Sequence, residues 1–337
     1  MPRPEREATT LKAIVQDVYG PADVLELRDI DRPAPGPGEV LIRVRAAGAG
    51  PDVWHLMTGL PYPARLVFGL RRPKNPVPGW DGAGVIEAVG PGVSDLGPGD
   101  AVYGECRGSF AEFALAKAGR IAPKPDSLTF EQAAAVPCSG VTALQALHAK
   151  GGLRPGRQVL IIGASGGVGS FAVQLAVAHG AEATAVCGPA AADFVRSLGA
   201  VDVIDYTREE ITDRPRRYDV VLDAAGNRSV SLLHSVLAPH GTLVRVGGEG
   251  GSRWFADAGI RLEMGLRSLL GGRKLRGMLA VVRRADLLTL NAIIEKGDLT
   301  PVVARTFPLS EAADAVRHLE SGHPQGKVVV TVGGPRD

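Results

Sequence analysis

The chain has 337 residues, 45% of them hydrophobic and 22% charged, with a formal net charge of +2 at pH 7. This length leaves room for two domains with substantial cores, and it contains no apolar run long enough to span a bilayer, so no membrane partner is expected. The net charge argues neither for nor against nucleic acid; the arginines that thicken between Arg253 and Arg284 read as a solvated helical face, so no nucleic-acid partner is expected either. The N-terminal MPRPEREATT is polar, lacks an apolar signal core, and reads as a frayed tail on a cytoplasmic protein. Cys106, Cys138 and Cys187 are widely spaced and odd in number, which excludes a CxxC metal knuckle and a disulfide framework and fits a reducing compartment.

Taken in order, Leu11 to Val15, Leu25 to Ile30 and Glu39 to Ala46 read as strands separated by Gly/Pro turn signals. Gly84 to Val89 and Ala101 to Gly104 continue the pattern. Short strands with such punctuation predict a compact, barrel-like β domain. The texture changes at Leu128. Thr129-Phe-Glu-Gln-Ala reads as an N-capped helix start, and Gly140 to Ala149 as a second helix. Strands and helices then alternate: strands at Gln158 to Ile162, Ala183 to Val186, Val203-Ile204, Asp219 to Leu222 and Thr242 to Val246 are separated by helical stretches. This is the rhythm of a doubly wound parallel sheet. Leu275 to Val282 is a further sheet strand, Ala285 to Lys296 and Ala312 to Leu319 are helices, and Lys327 to Val332 is a closing strand expected to return to the N-terminal domain.

Within this order, Gln158 to Ala176 carries the chemistry. An apolar strand runs into Gly163-Ala164-Ser165-Gly166-Gly167-Val168-Gly169, and a helix follows. Glycines let the backbone turn tightly and approach a pyrophosphate, and the helix N-terminus offers free N–H groups and the positive end of a dipole. Strand, glycine turn and helix together predict dinucleotide binding at Gly163, Ala164, Ser165, Gly166, Gly167 and Val168.

The order of parts resembles the medium-chain dehydrogenase/reductase superfamily, in its zinc-free quinone oxidoreductase-like branch. The residues that carry the resemblance are Pro78-Gly79-Trp80-Asp81-Gly82-Ala83-Gly84, Gly108-Ser109-Phe110-Ala111-Glu112, Ser139-Gly140-Val141-Thr142-Ala143, the glycine turn, and Gly199-Ala200 before Ile204-Asp205-Tyr206. The resemblance covers Leu11 to Val332. It implies an α/β fold in which a Rossmann sheet (126–281) is inserted into a GroES-like β-barrel domain built from both chain ends (1–125, with 282–337 returning to it). It also implies reduction of quinones or enones by NADPH, commonly by homodimers. Zinc-dependent relatives place a Cys after the early strands and a His–Glu pair after the Pro-Gly; here these stretches read Gly48-Ala49-Gly50-Pro51-Asp52 and Trp80-Asp81, so no metal is expected.

The second Rossmann strand ends Val186-Cys187-Gly188-Pro189, without the acid that would bind a ribose 2′-OH. By resemblance, Tyr206 packs near the adenosine phosphate, which makes NADPH the expected cofactor. The family's polar and basic residues after this strand are replaced by Pro189-Ala190-Ala191, leaving Arg196 or another cation to compensate. The resemblance also assigns Ser139 and Thr142 to the cofactor phosphates, Gly247, Gly248 and Glu249 to the nicotinamide end, and Asn227 to a sheet edge, where capping its own loop is an equal reading. The stretch from Pro51 to Tyr62 is expected to line the cleft. Gly50 and Asp52 border it; Trp54 and Trp80 suit a wall for a flat, apolar or aromatic small molecule, or belong to the β-domain core. His55 and Tyr62 are the hydrogen-bond donors in reach of a substrate oxygen, with capping and packing as their plainer roles. Two rival functions stand beside enone reduction: an alcohol/ketone oxidoreductase on the same scaffold, and a dinucleotide-binding structural or sensing protein with little turnover.

Overall fold

In the computed structural model, residues 10–246, 259, 263–265, 268, 272–320, 322 and 324–333 are described. The N-terminal hairpin pairs β1 (Thr10–Val15) with β2 (Glu26–Asp31), antiparallel. Next come β3 (Glu39–Ala49), β4 (Asp81–Val89), β5 (Ala101–Glu105), β6 (Phe113–Lys117) and β7 (Ile121–Pro123). These five form one sheet with β14 (Val303–Pro308) and β15 (Lys327–Thr331), in the order β14-β15-β3-β4-β5-β7 with β6 also on β3. The closing strand therefore returns to the N-terminal sheet, as its sequence suggested.

The inserted sheet is wholly parallel among the described residues. It contains β8 (Gln158–Ile162), β9 (Glu182–Cys187), β10 (Asp202–Asp205), β11 (Tyr218–Asp223), β12 (Leu237–Val246) and β13 (Lys274–Met278). The order β10-β9-β8-β11-β12-β13 places the topological switch between β8 and β11, and ligands of such sheets bind outside the carboxyl ends of the strands at that point. The strands are apolar because helices cover both faces: Val159, Leu160, Ile161 and Val221 are fully buried.

Local sequence sets the helix ends. Thr129 and Gln132 form a reciprocal capping box at Phe130–Ala134. The next helix begins at Pro137, three residues before the expected start, because a proline at the first position needs no N–H partner there. It widens into a π-helical turn over Gln145–Lys150. Pro51–Thr58 is helical, opening on a proline and closing on Gly59 in the left-handed region. The two sheets share one core: Ala46, Ala83 and Tyr103 pack in the same cluster as Val141, Phe171 and Leu290. Across it the Tyr103 hydroxyl donates to Asn291 Oδ1 at 2.6 Å, and burial holds that phenol above its usual pKa.

Candidate dinucleotide and substrate site

The glycine turn stands at the switch point. Gly163 leaves β8 at φ +76°, and a Cβ on it would lie 3.3 Å from the Ala225 nitrogen beyond β11. Gly166 caps the helix Gly167–Ala178, and a Cβ there would meet nothing nearer than the Gly163 carbonyl at 3.5 Å. Gly169 is the opposite case. Its Cβ would sit 2.1 Å from the Gly163 oxygen, so only glycine lets the helix press against the turn. A Cβ on Gly167 would lie 3.0 Å from Ser139 Oγ, which brings the helix Pro137–Leu144 to the same mouth. Ser139 and Thr142 are buried there, as is Ala164; Ser165 and Val168 are half-buried.

At the other end, Cys187 closes β9 opposite Asp205 of β10. Burial, then the Asp205 charge, raises the Cys187 thiol pKa. A Cβ on Gly188 would lie 3.3 Å from the Tyr206 hydroxyl, and Tyr206 itself is 44% exposed. Gly188 and the Tyr206 ring therefore bound one shallow surface without a carboxylate between them. Asp205 is tied to its own loop through Thr207 N and Oγ1, which holds its carboxyl below the usual range. Arg196 is engaged by Asp193 at 3.0 Å on the surface. Asn227 is exposed and accepts from Arg228 at 3.4 Å. Gly247, Gly248 and Glu249 lie outside the described residues.

Between the two sheets sits a group of charges that sequence reasoning missed. Lys327 Nζ lies 3.2 Å from Asp81 Oδ2, and the side chains are 4% and 0% exposed. Asp81 Oδ1 accepts from the Cys138 backbone N–H at 3.0 Å. A Cβ on Gly50 would meet Asp52 Oδ1 at 2.5 Å and Lys327 Nζ at 2.8 Å, so the glycine makes room for both groups. The carboxylate oxygens of Asp52 are buried without a hydrogen-bond partner. Burial, and then the charge of Asp52, pushes Asp81 up to about 7 against the pull of Lys327. For Lys327 burial works downward, but the carboxylates of Asp81 and Asp52 outweigh it and hold the ammonium charged. A Cβ on Gly167 would approach Lys327 Cδ to 3.6 Å, so the lysine stem runs beneath the glycine turn. One signal was legible: a lone cation opening the apolar run Lys327-Val-Val-Val of a buried strand.

Residues 325–327 also tie the loops together. Gln325 Nε2 donates to the Ala190 carbonyl at 2.9 Å, and Gly326 N–H donates to the Ser165 carbonyl at 2.9 Å.

In the N-terminal part, a cavity of about 300 Å³ is lined by apolar residues including Phe68, Trp80 and Leu115, and by charged ones including Glu39, Lys74 and Glu105. Trp80 and Phe68 meet edge to face at 6.4 Å. Of the four residues expected to form the substrate pocket, Trp80 lines this cavity, whereas Gly50 and Asp52 belong to the buried charge group. Trp54 packs against the N-terminal core and donates from Nε1 to Glu320 at 2.8 Å. His55 Nδ1 lies 2.9 Å from the Leu60 carbonyl; a carbonyl only accepts, so Nδ1 carries the proton and the neutral ring presents Nε2 as an acceptor. Tyr62 lies under the Arg65 guanidinium at 4.8 Å. Among the described residues no three His, Cys, Asp or Glu side chains gather to hold a metal ion.

Known proteins share this architecture. The family model of the alcohol dehydrogenase GroES-like domain matches residues 36–126, and that of the zinc-binding dehydrogenases matches residues 198–330. The mitochondrial NAD(P)H oxidoreductase RTN4IP1 of Mus musculus is 33% identical over 96% of this chain and 90% of its own length. The chloroplastic NADPH-dependent alkenal/one oxidoreductase of Arabidopsis thaliana is 35% identical over 95% of this chain and 79% of its own length. The solved quinone oxidoreductase of Coxiella burnetii superposes with a TM-score of 0.84 at 30% identity, covering 96% of this chain and all of its own. With its inserted 3-2-1-4-5-6 sheet and returning C-terminal strand, this chain belongs to the medium-chain dehydrogenase/reductase superfamily, among its quinone oxidoreductase-like NAD(P)H oxidoreductases.

Proposed function

We propose that the chain is an NADPH-dependent reductase of quinones or α,β-unsaturated carbonyl compounds that works without zinc. The observation that carries this reading is the open glycine turn at the switch point; Trp80, one residue before Asp81 of the buried charge group, lines a separate cavity of the N-terminal part that offers an aromatic wall for an acceptor. Trp80 faces that cavity, while the next residue, Asp81, faces Lys327 beneath the turn.

The residues fit a dinucleotide. Gly166 has open space where a pyrophosphate would approach, the helix N-terminus behind it points free N–H groups outward, and Ser139 stands beside it. Gly188 and Tyr206 would take the adenosine end, and the lack of a carboxylate between them suits a 2′-phosphate. When bound, the cofactor supplies the hydride. The chain's own part is to orient: Trp80, met edge-on by Phe68, offers one wall for a flat acceptor, with Leu56, Val77 and Leu115 as apolar neighbours in the same lining. His55 in its neutral form accepts at Nε2, so it delivers a proton to a substrate oxygen only from the imidazolium state. Homodimers are expected through edge pairing of the parallel sheets, for which β13 is an edge strand among the described residues.

The test is oxidation of NADPH against NADH by chelator-treated protein with quinones, enones and saturated ketones. Turnover with NADPH and conjugated acceptors supports the reading. Turnover confined to saturated ketones replaces it with alcohol/ketone chemistry, and tight NADPH binding without turnover replaces it with a binding role.

A further inference from the structure

From Val53 to Trp80 the sequence contains no Asp or Glu, yet it carries Arg65, Arg71, Arg72 and Lys74. The same stretch exposes Leu66, Val67 and Leu70 to 72%, 66% and 67%, three large aliphatic side chains within five residues. Scattered exposed aliphatics are ordinary on any surface; three within five residues, followed by three exposed cations in a stretch of sequence without a carboxylate, are not.

This lip is built and held. Arg65–Phe68 is a short helix, and Gly69 ends it at φ +124°, where a Cβ would strike the Arg72 carbonyl at 2.1 Å. Lys74 N–H donates to the Phe68 carbonyl at 2.7 Å, and the Tyr19 hydroxyl donates to the Gly69 carbonyl at 2.7 Å. Arg65 is spent on this anchorage: its guanidinium stacks on Tyr19 at 4.4 Å and on Tyr62 at 4.8 Å, and Nε donates to the Gly59 carbonyl. Arg71, Arg72 and Lys74 are exposed and make no ion pair or side-chain hydrogen bond among the described residues. The lip also lines the cavity that holds Trp80, since Val67, Phe68, Pro73 and Lys74 are among its lining residues.

We propose that residues 65–74 dock the protein onto an anionic lipid bilayer surface, with Leu66, Val67 and Leu70 entering the headgroup region and Arg71, Arg72 and Lys74 meeting its phosphates. This departs from the expectation that no membrane is a partner. It concerns a peripheral contact, not a span: among the described residues no helix is long and apolar enough to cross a membrane. Charge selects the occupant. A neutral bilayer leaves three cations unanswered, and an acidic protein surface leaves three aliphatic side chains in water. A bilayer with anionic headgroups over acyl chains satisfies both groups. Because the docked lip lines the cavity, a lipophilic acceptor would pass from the bilayer to Trp80 without crossing water. That last step rests on the proposed function; the docking does not.

The experiment is co-sedimentation of the full chain with phosphatidylcholine vesicles, with and without phosphatidylglycerol. Two variants are compared, Leu66→Ser/Leu70→Ser and Arg71→Glu/Arg72→Glu; none of these four residues lines the cavity or the glycine turn. We expect about tenfold or greater preference for the anionic vesicles, and a loss of about fivefold or more in each variant. Unfolding midpoints and NADPH affinity should match the wild type. Binding that is absent, equal on both vesicles, or unaltered in both variants overturns the proposal. Loss in the arginine variant alone also overturns it, because that is the signature of an acidic macromolecule. None of these readings depends on turnover, so a failed docking and a failed reductase assay remain distinct.

Discussion

Lys327 Nζ stands 3.2 Å from Asp81 Oδ2 in a place closed to water, bridging the strand that ends the chain to the strand that carries Trp80. A second carboxylate, Asp52, lies beside the same ammonium, so two acids share one cation. Removing one partner of a buried pair leaves the other uncompensated, at a cost of about 3–5 kcal/mol. Lys327→Met should therefore lower stability by that order in urea unfolding. It should also weaken NADPH binding, since the lysine stem supports the glycine turn.

The same pair predicts a pH dependence. Asp81, raised to about 7 mainly by burial, holds a proton in the folded state that it loses near 4 when unfolded. Between those values the folded state binds more protons, so its contribution to stability is full below about pH 4 and is lost as pH rises towards 7. Denaturation across this window should show that fall. Asp81→Asn, which cannot titrate, should flatten it; an unchanged slope in the variant would assign the effect elsewhere.

Gly166 and Gly169 separate binding from folding. Gly169→Ala forces a Cβ to 2.1 Å from the Gly163 carbonyl and should cost on the order of 1–3 kcal/mol of stability as well as dinucleotide affinity. Gly166→Ala meets no such obstacle and should leave the unfolding curve within about 1 kcal/mol of wild type. Its loss should appear in the NADPH dissociation constant, about tenfold or more by fluorescence titration.

Much of this was legible beforehand, for identifiable reasons. The glycine turn announces itself because its backbone needs glycine at Gly163 and Gly169, and β8, β9 and β11 show as apolar runs because they are buried on both sides. The Lys327–Asp81 pair does not, since its partners lie 246 residues apart and meet only after the last strand crosses to β3. Trp54 and Trp80 look alike in sequence. Only the packing of the helix Pro51–Thr58 turns the first toward Glu320, while the strand start leaves the second on the cavity.

Cofactor choice can be tested at Gly188. An Asp there would place a carboxylate beside the Tyr206 hydroxyl, near the proposed 2′-phosphate position. Gly188→Asp should lower the NADPH-to-NADH preference in kcat/KM by about tenfold or more, through repulsion of the phosphate and a new acceptor for the ribose hydroxyl. An unchanged ratio would remove this surface from the cofactor site.

Trp80 offers the corresponding test of the acceptor. Trp80→Ala should reduce kcat/KM for quinones and enones by about tenfold while leaving the NADPH dissociation constant in place. Trp80→Arg, which sets a charge against Phe68, should reduce it further. Turnover at the wild-type level in the arginine variant would show that the acceptor does not use this wall.

The strand that carries Lys327 has a consequence for biosynthesis. On one side of β3, residues Glu39–Arg43 are covered by β6, but Ala46–Ala49 pair only with β15. The N-terminal sheet is thus translated first and completed last, after the whole parallel sheet has emerged. Until Gln325, Gly326 and Lys327 arrive and fasten to Ala190, Ser165 and Asp81, that end of β3 is an open hydrogen-bonding edge flanked by apolar surface. The nascent chain is most exposed to aggregation in this interval, and its yield should depend on chaperone supply far more than the finished protein's stability would suggest.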